Sequence, residues 1–276
     1  MTIQIRRVYP LIRLTTALAL MTLGCSAMYA GVMVLEPLAL ELGTGRGNSS
    51  LIYGSFMIGF ALGGVFMGRL ADRMGIMIPA LIGSLALPAG FYLAAHASSI
   101  LEICLAFSLL CGFLGSSFSM APLIADISHW FNRRRGLAVG IAFSGSYVAG
   151  AIWPPILQRM FDAQGWRESF IDLALLTLIL MALLSLMLYP RPPTTEQLPT
   201  AGSANSNLTK SSISAGTLQS LICLAGFGCC VAMAMPQIHI VPYVMDLGHP
   251  AIRGAEMLGL MLGFGVISRV GSGWLS

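Results

Sequence analysis

The chain has 276 residues, of which 56% are hydrophobic and only 9% charged, with a formal net charge of +4 and a mean hydropathy of +0.81. A soluble domain carries about 25% charged residues, so this composition excludes a water-soluble domain; the small positive balance sits in short connecting segments and does not argue for nucleic acid. Cys25, Cys104, Cys111, Cys223, Cys229 and Cys230 all fall inside apolar runs, which excludes a disulfide framework and a metal-ligand spacing.

A membrane helix needs about 20 consecutive apolar residues. Eight runs meet that requirement, at 14–40, 51–70, 76–95, 100–128, 136–158, 169–189, 216–243 and 256–276. The fold expected is therefore an all-α integral membrane bundle. The first run follows Arg6, Arg7 and Arg13, as a signal peptide would, and "TLGCSA" at 22–27 faintly resembles a lipoprotein cleavage site. The apolar stretch continues past Cys25 to Leu40, however, too long for a signal sequence, and is read as a retained helix with Glu36 and Pro37 in its outer third. The second run ends in "MGRLADRMG" (67–75), with Gly68, Arg69, Asp72, Arg73 and Gly75. Glu102 and Asp172 fall at predicted helix starts, where carboxylates favour the dipole. Asp126 and His129, three residues apart, lie near the inner end of the fourth helix. Arg133, Arg134 and Arg135 precede the fifth, and Pro154–Pro155 can kink or end it. Residues 190–215, rich in Pro, Ser, Thr and Asn, read as a polar linker. His239 lies between Pro236 and Pro242 in the seventh helix, and Arg269 within the eighth.

With the N-terminus inside, ten of the fifteen basic residues fall in inside segments and four outside, leaving Arg269 within a helix. The positive-inside rule then places the N-terminus in the cytoplasm. Gly54, Gly68 and Leu70 of the second helix align with Gly259, Gly273 and Leu275 of the eighth at a constant offset of 205 residues. A parallel repeat of this kind is a transporter signature. The division expected is a six-helix bundle (1–189), a cytoplasmic linker (190–215) and an incomplete second bundle (216–276). The eighth helix stops one residue before the position equivalent to Asp72. The chain is thus expected to be cut short at its C-terminus by about four helices of an expected twelve.

Residues 68–75 resemble the loop motif G-x-L-a-D-r-x-G of the major facilitator superfamily through Gly68, Leu70, Asp72, Arg73 and Gly75. Ile76 and Met77 stand where a basic pair is common. Residues 129–155 are similar to the helix 4–5 segment of its monocarboxylate and oxalate/formate branch through Phe131, Arg134, Arg135, Ala138, Gly140, Ser144, Gly145 and Ser146. Residues 239–248 and 268–276 also resemble that branch. The resemblance implies a secondary transporter working by alternating access, with Gly68, Asp72, Arg73, Gly75, Arg134 and Arg135 as gating residues and Arg269 as an anion site. Gly265 stands where some members carry an Asp.

The residues themselves support this reading. Gly68 would let the second helix approach a neighbour closely, as would Gly59/Gly63, Gly64/Gly68, Gly136/Gly140 and Gly259/Gly263. Asp72 and Arg73 can form a releasable surface latch. Arg269 is a costly intramembrane charge able to grip a carboxylate with two parallel bonds, or else a structural arginine reaching the interface. Glu36 and His239 are further substrate-contact candidates, and Asp126 and His129 are candidates for a proton relay. Each could equally be an interfacial group reaching water. No phosphate-binding loop, catalytic constellation, metal site or cofactor motif is present, so no enzyme activity is expected. The expectation is a transporter of a small organic anion, a monocarboxylate, in the inner or plasma membrane, with proton symport. The alternatives are efflux of a larger amphiphile and a non-transporting membrane fragment.

Overall fold

Inside a bilayer every backbone N–H and C=O must find a partner within the protein, which confines apolar runs of this length to helices. The computed structural model of the chain describes residues 2–42, 46–131, 135–189 and 215–275, and eight helices among them are long and apolar enough to cross a membrane. We number them in chain order. α1 is built of three segments, Thr2–Gly24, Ser26–Met33 and Leu35–Leu42; α2 is Arg46–Met74, α3 Met77–His96 and α4 Ile100–Trp130; α5 is Arg135–Gln164, α6 Trp166–Leu186, α7 Ala215–Asp246 and α8 Ala251–Leu275. The linker region 190–214 and the loop residues 132–134, Arg134 among them, lie outside the described residues.

The strongest packing is between α5 and α8, followed by α3 on α6, and α4 on both α2 and α3, while α1 lies along α5 and α7 rests mainly on α8. An aromatic cluster fills the space among α3, α4, α5 and α6. In it Phe170 stands 5.5 Å from Phe91, 5.9 Å from Phe107, 6.0 Å from Phe161 and 5.5 Å from Trp166, centroid to centroid, mostly in the tilted arrangements that aromatic quadrupoles favour.

Local chemistry accounts for the irregular places. The α2–α3 turn closes on Gly75, whose φ of 87° is the left-handed conformation that ends helices on glycine. In α4 the stretch Ala106–Ser116 winds as a π-helix and Ser117–Ser119 as a 3-10 turn. The hydroxyls of Ser117 and Ser119 donate to the carbonyls of Phe113 and Ser116 at 2.6 Å each. Pro122, at the start of the next α-helical segment, has no N–H to continue the ladder. In α1 the break at Cys25 follows Thr22, whose carbonyl accepts the Trp153 indole N–H of α5 at 2.8 Å.

Three sequence expectations meet the structure as follows. Of the two outcomes open for Pro154–Pro155, a kink or an end, the end does not occur: α5 runs on to Gln164. Each proline removes one N–H donor from the ladder, and the close packing of α5 on α8 and α1 carries the helix through the loss. Among the described residues Gly68 makes no close helix approach: a methyl built there would meet nothing within 4 Å. Gly59 and Gly63 make the approach instead, on the backbone of Ser108 and Phe113 in α4. Asp172 lies beyond the first turn of α6 and accepts a bond from Gln164 at 2.6 Å, whereas Glu102 does sit in a first turn, capped by Ser99.

The N-terminus, the α2–α3 turn and the end of α6 define one face of the bundle, which we call the N-terminal face. On the far face Arg167 joins three helix ends. Its Nη2 donates to Glu41 Oε1 at 2.8 Å and its Nη1 to the carbonyls of Ala95 and Ala97 at 2.7 and 2.9 Å. Trp166 Nε1 donates to Glu41 Oε2 at 2.6 Å. The hydrogen bond from Arg167 holds the Glu41 carboxyl below its usual range.

Candidate functional site

Arg269 is reached from two sides of the bundle. On α5, Phe143 and Tyr147 stand one turn apart, four residues being a shared helical face, and together form an aromatic floor. The Arg269 guanidinium carbon lies 4.8 Å from the Phe143 ring centroid and 5.4 Å from that of Tyr147. Its Nε and Nη2 donate to the Tyr147 hydroxyl at 3.3 and 3.1 Å, and that hydroxyl also contacts the Met233 sulfur of α7 at 3.9 Å. Cation–π attraction and hydrogen bonding thus fix both the position and the plane of a half-buried guanidinium where α5, α7 and α8 meet.

Gly265, one turn before Arg269, is what lets the tyrosine in: a Cβ there would collide with the Tyr147 ring. The position where some members of the resembled branch carry an Asp is therefore filled by a neighbour's phenol, which supplies the guanidinium with a neutral acceptor.

A cavity of about 950 Å³ opens between α4 and α5 toward the N-terminal face, lined among others by Ile124, Ser128, His129, Arg135 and Phe143. The ring beneath Arg269 is thus part of its wall. Arg135 Nη2 donates to Ser128 Oγ at 3.0 Å, holding the arginine at the cavity's rim beside the exposed His129.

Asp126 and His129 do not act on a common space. Asp126 is turned into the bundle, where Arg13 grips it with two parallel bonds, Nε to Oδ2 at 2.7 Å and Nη2 to Oδ1 at 2.8 Å. Arg13 is only 1% exposed and Asp126 8%. Arg13 Nη1 also donates to Tyr9 Oη at 2.9 Å and to the Leu188 carbonyl at 3.3 Å, Tyr9 donates to the Met187 carbonyl at 2.8 Å, and the Trp130 ring centroid lies 4.8 Å from the guanidinium carbon. One arginine, counted in sequence as an inside-segment charge, thus ties the start of α1 to α4 and to the end of α6.

The structure does not gather Arg269, Glu36 and His239 into one place. Tyr29 of α1 packs on Gly150 of α5; Gly150 lies seven residues from Phe143 and Glu36 seven beyond Tyr29, which separates Glu36 from Arg269 by roughly 20 Å along the bundle axis. His239 is exposed and lies six residues beyond Met233, about 9 Å farther along α7. Glu36 is half-buried in the first turn of the last α1 segment. Asp72 and Arg73 are exposed at the end of α2, beside the Gly75 turn.

Sequence reading missed Phe143 and Tyr147. Their four-residue spacing on a helix was the available signal, but aromatic pairs at that spacing are common on any packed face.

The family description "Major Facilitator Superfamily" matches residues 15–276. Among curated relatives, Monocarboxylate transporter 11 of Homo sapiens is 30% identical over 211 residues, which cover 75% of this chain and 43% of that protein. MFS-type transporter pytF of Aspergillus terreus is 28% identical over 218 residues, 78% of this chain and 71% of that protein. Agnestins efflux protein AgnL12 of Paecilomyces divaricatus is 36% identical over 136 residues, 47% of this chain and 31% of that protein. The chain spans under half the length of Monocarboxylate transporter 11.

Proposed function

The chain belongs to the major facilitator superfamily, and from that premise we propose that it moves a small organic anion, a monocarboxylate, across the inner or plasma membrane by alternating access. The observation that carries the substrate class is Arg269 on its Tyr147–Phe143 floor. A guanidinium whose plane is set before ligand arrives offers a carboxylate a charge-assisted bond with little left to order. The similarity to Monocarboxylate transporter 11 favours the same class. The solute's route to the N-terminal face is the cavity bounded by His129 and Arg135. Arg134 and Arg135, with Gly68, Asp72, Arg73 and Gly75, serve the gating of that face, a cytoplasmic one on this reading, which the excess of basic residues supports. Residues 1–189 form one bundle, 190–215 the linker and 216–276 part of a second. His129, at the cavity rim, is the remaining candidate for coupling to protons; Asp126 is committed to Arg13.

The test is uptake of radiolabelled lactate and pyruvate into proteoliposomes carrying the protein in its complete natural reading frame. Saturable uptake abolished by Arg269→Ala is the expected outcome; uptake indifferent to Arg269, or none of either solute, overturns the reading. A second reading, efflux of a larger amphiphile, draws on the similarity to an agnestins efflux protein and on the mostly apolar cavity wall. It would show as transport of aromatic amphiphiles that lactate does not compete. A non-transporting membrane role would give neither activity.

A further inference from the structure

One wall of the cavity between α4 and α5 is the inner end of α4, and the helix above does not fix its rotation. α4 changes its winding twice, from the π-helix Ala106–Ser116 to the 3-10 turn Ser117–Ser119 and then to the α-helical segment Ala121–Trp130. At Met120, with φ −98° and ψ −96°, the backbone leaves helical dihedrals. The ladder starts afresh with the Ile124 N–H donating to the Met120 carbonyl at 3.0 Å. A mid-helix 3-10 stretch is where helices hinge. Above it α4 is locked by close contacts. Gly59 and Gly63 of α2 lie on Ser108 and Phe113, Gly115 lies on Leu87 of α3, and Gly24 of α1 lies on Ser119. These contacts end at the 3-10 turn.

A helix of ten residues does not hold its own orientation, so contacts below the break must supply it. Ala121, Ile124, Ala125, Ser128 and His129 line the cavity, and their spacing of three and four residues places them on one face. Asp126 and Trp130 stand roughly 150° around the axis from that face, at about 100° per residue. There Arg13 holds both, the carboxylate by two parallel bonds and the indole by its guanidinium face. Arg13 is itself held, because α1 is seated on α5. The Leu18 carbonyl lies against Gly145, and Thr22 Oγ1 donates to the Gly145 carbonyl at 3.1 Å. α1 therefore sets one cavity wall against the other. A planar guanidinium gripping a carboxylate through two bonds fixes an angle as well as a distance.

We propose that Arg13 is a positioning residue for transport: through Asp126 it sets the rotation of the inner α4 segment and so presents Ile124, Ser128 and His129 to the solute. This rests on the reading of the cavity as the solute's route. Arg13 touches no solute; it acts through the wall. The Ser128 hydroxyl accepts from Arg135 at 3.0 Å in this rotation. A slip by one residue's turn, about 100°, carries a side chain ~5 Å from the axis through roughly 8 Å. That breaks the Ser128–Arg135 bond and turns His129 away from the rim.

Pulsed electron-spin distances in the protein with its complete natural reading frame, its native cysteines replaced by alanine, test the positioning. One nitroxide pair joins His129→Cys to Leu175→Cys on α6. A control pair joins Leu109→Cys, above the break, to the same α6 site; Leu109 and Leu175 are both exposed. In Arg13→Gln the 129–175 distance should shift or spread by up to about 8 Å, while the 109–175 distance stays that of the parent. Arg13→Lys keeps a cation for Asp126 without the fork and should give a smaller spread; where Arg13→Gln fails to fold, it decides the matter with the same pairs. In lactate uptake the folded variants should lose up to about tenfold in kcat with KM nearly unchanged, because Arg269 and its floor belong to α8 and α5. Unchanged 129–175 distances in the variants that fold would overturn the proposal. So would equal shifts in both pairs, as general loosening gives, or a loss confined to KM. A parent that takes up no lactate sinks the proposed substrate and leaves the distances to decide the role of Arg13.

Discussion

Replacing Asp126 with Asn tests the deepest polar contact in the protein. The parent pair is bidentate, with bonds of 2.7 and 2.8 Å, and Arg13 is almost wholly shielded. The substituted amide keeps one oxygen acceptor but turns an NH₂ toward a guanidinium N–H, leaving a buried cation without its carboxylate and with neutral groups such as the Tyr9 hydroxyl, the Leu188 carbonyl and the Trp130 face beside it. Breaking a buried pair on one side costs about 3–5 kcal/mol. For a chain of this size each kcal/mol corresponds to about 2–4 °C in melting temperature, so a fall on the order of 10 °C is expected. An ordinary interhelical hydrogen bond in a bilayer averages only about 0.6 kcal/mol, which would shift melting by a degree or two; the two accounts are well separated. Thermal unfolding in detergent, followed by thiol-reactive dye binding to the buried Cys25 and Cys111, reads the difference. The double variant Arg13→Met/Asp126→Leu removes both charges together and should recover at least half of the loss. A shift below ~2 °C for Asp126→Asn, or strictly additive losses in the double variant, would refute the reasoning.

Three further outcomes follow from the geometry. Tyr147→Phe removes the acceptor of two guanidinium bonds while keeping the ring, so it should weaken lactate transport about tenfold through KM, whereas Arg269→Lys should abolish it. Gly63→Ala should lower the melting temperature sharply because its methyl meets the α4 backbone at Phe113, whereas Gly68→Ala, with open space around it, should be silent or slightly stabilising; equal effects at both sites would contradict the packing. Glu41 is held below its usual range by Arg167, so its contribution is present above the unfolded carboxylate pKa of about 4.3 and is lost as pH falls through the lower, folded value. With Glu41 41% exposed, the contribution is small. The melting difference between the parent and Glu41→Gln should therefore be slight at neutral pH and vanish in acid.

The eight membrane helices were legible in the sequence because hydropathy is a local sum: about 20 residues must match the bilayer whatever surrounds them. Gly75 was singled out only as a motif position; that it ends α2 in the left-handed conformation came from the structure. The motif around it and that of residues 129–155 carried the family resemblance, and the family match over 15–276 agrees. Arg269 could be singled out because one charge in an apolar run is conspicuous by itself. Which glycines touch another helix, which acid meets Arg13, and what stands beneath Arg269 were decided only by the tertiary structure. Each residue turns a helix by about 100°, so Gly63 meets the α4 backbone while a methyl at Gly64 would meet nothing within 4 Å, and Asp126 and His129 end in a buried pair and at a cavity rim. That rotation is set by packing against helices distant in the chain, and no local pattern records it.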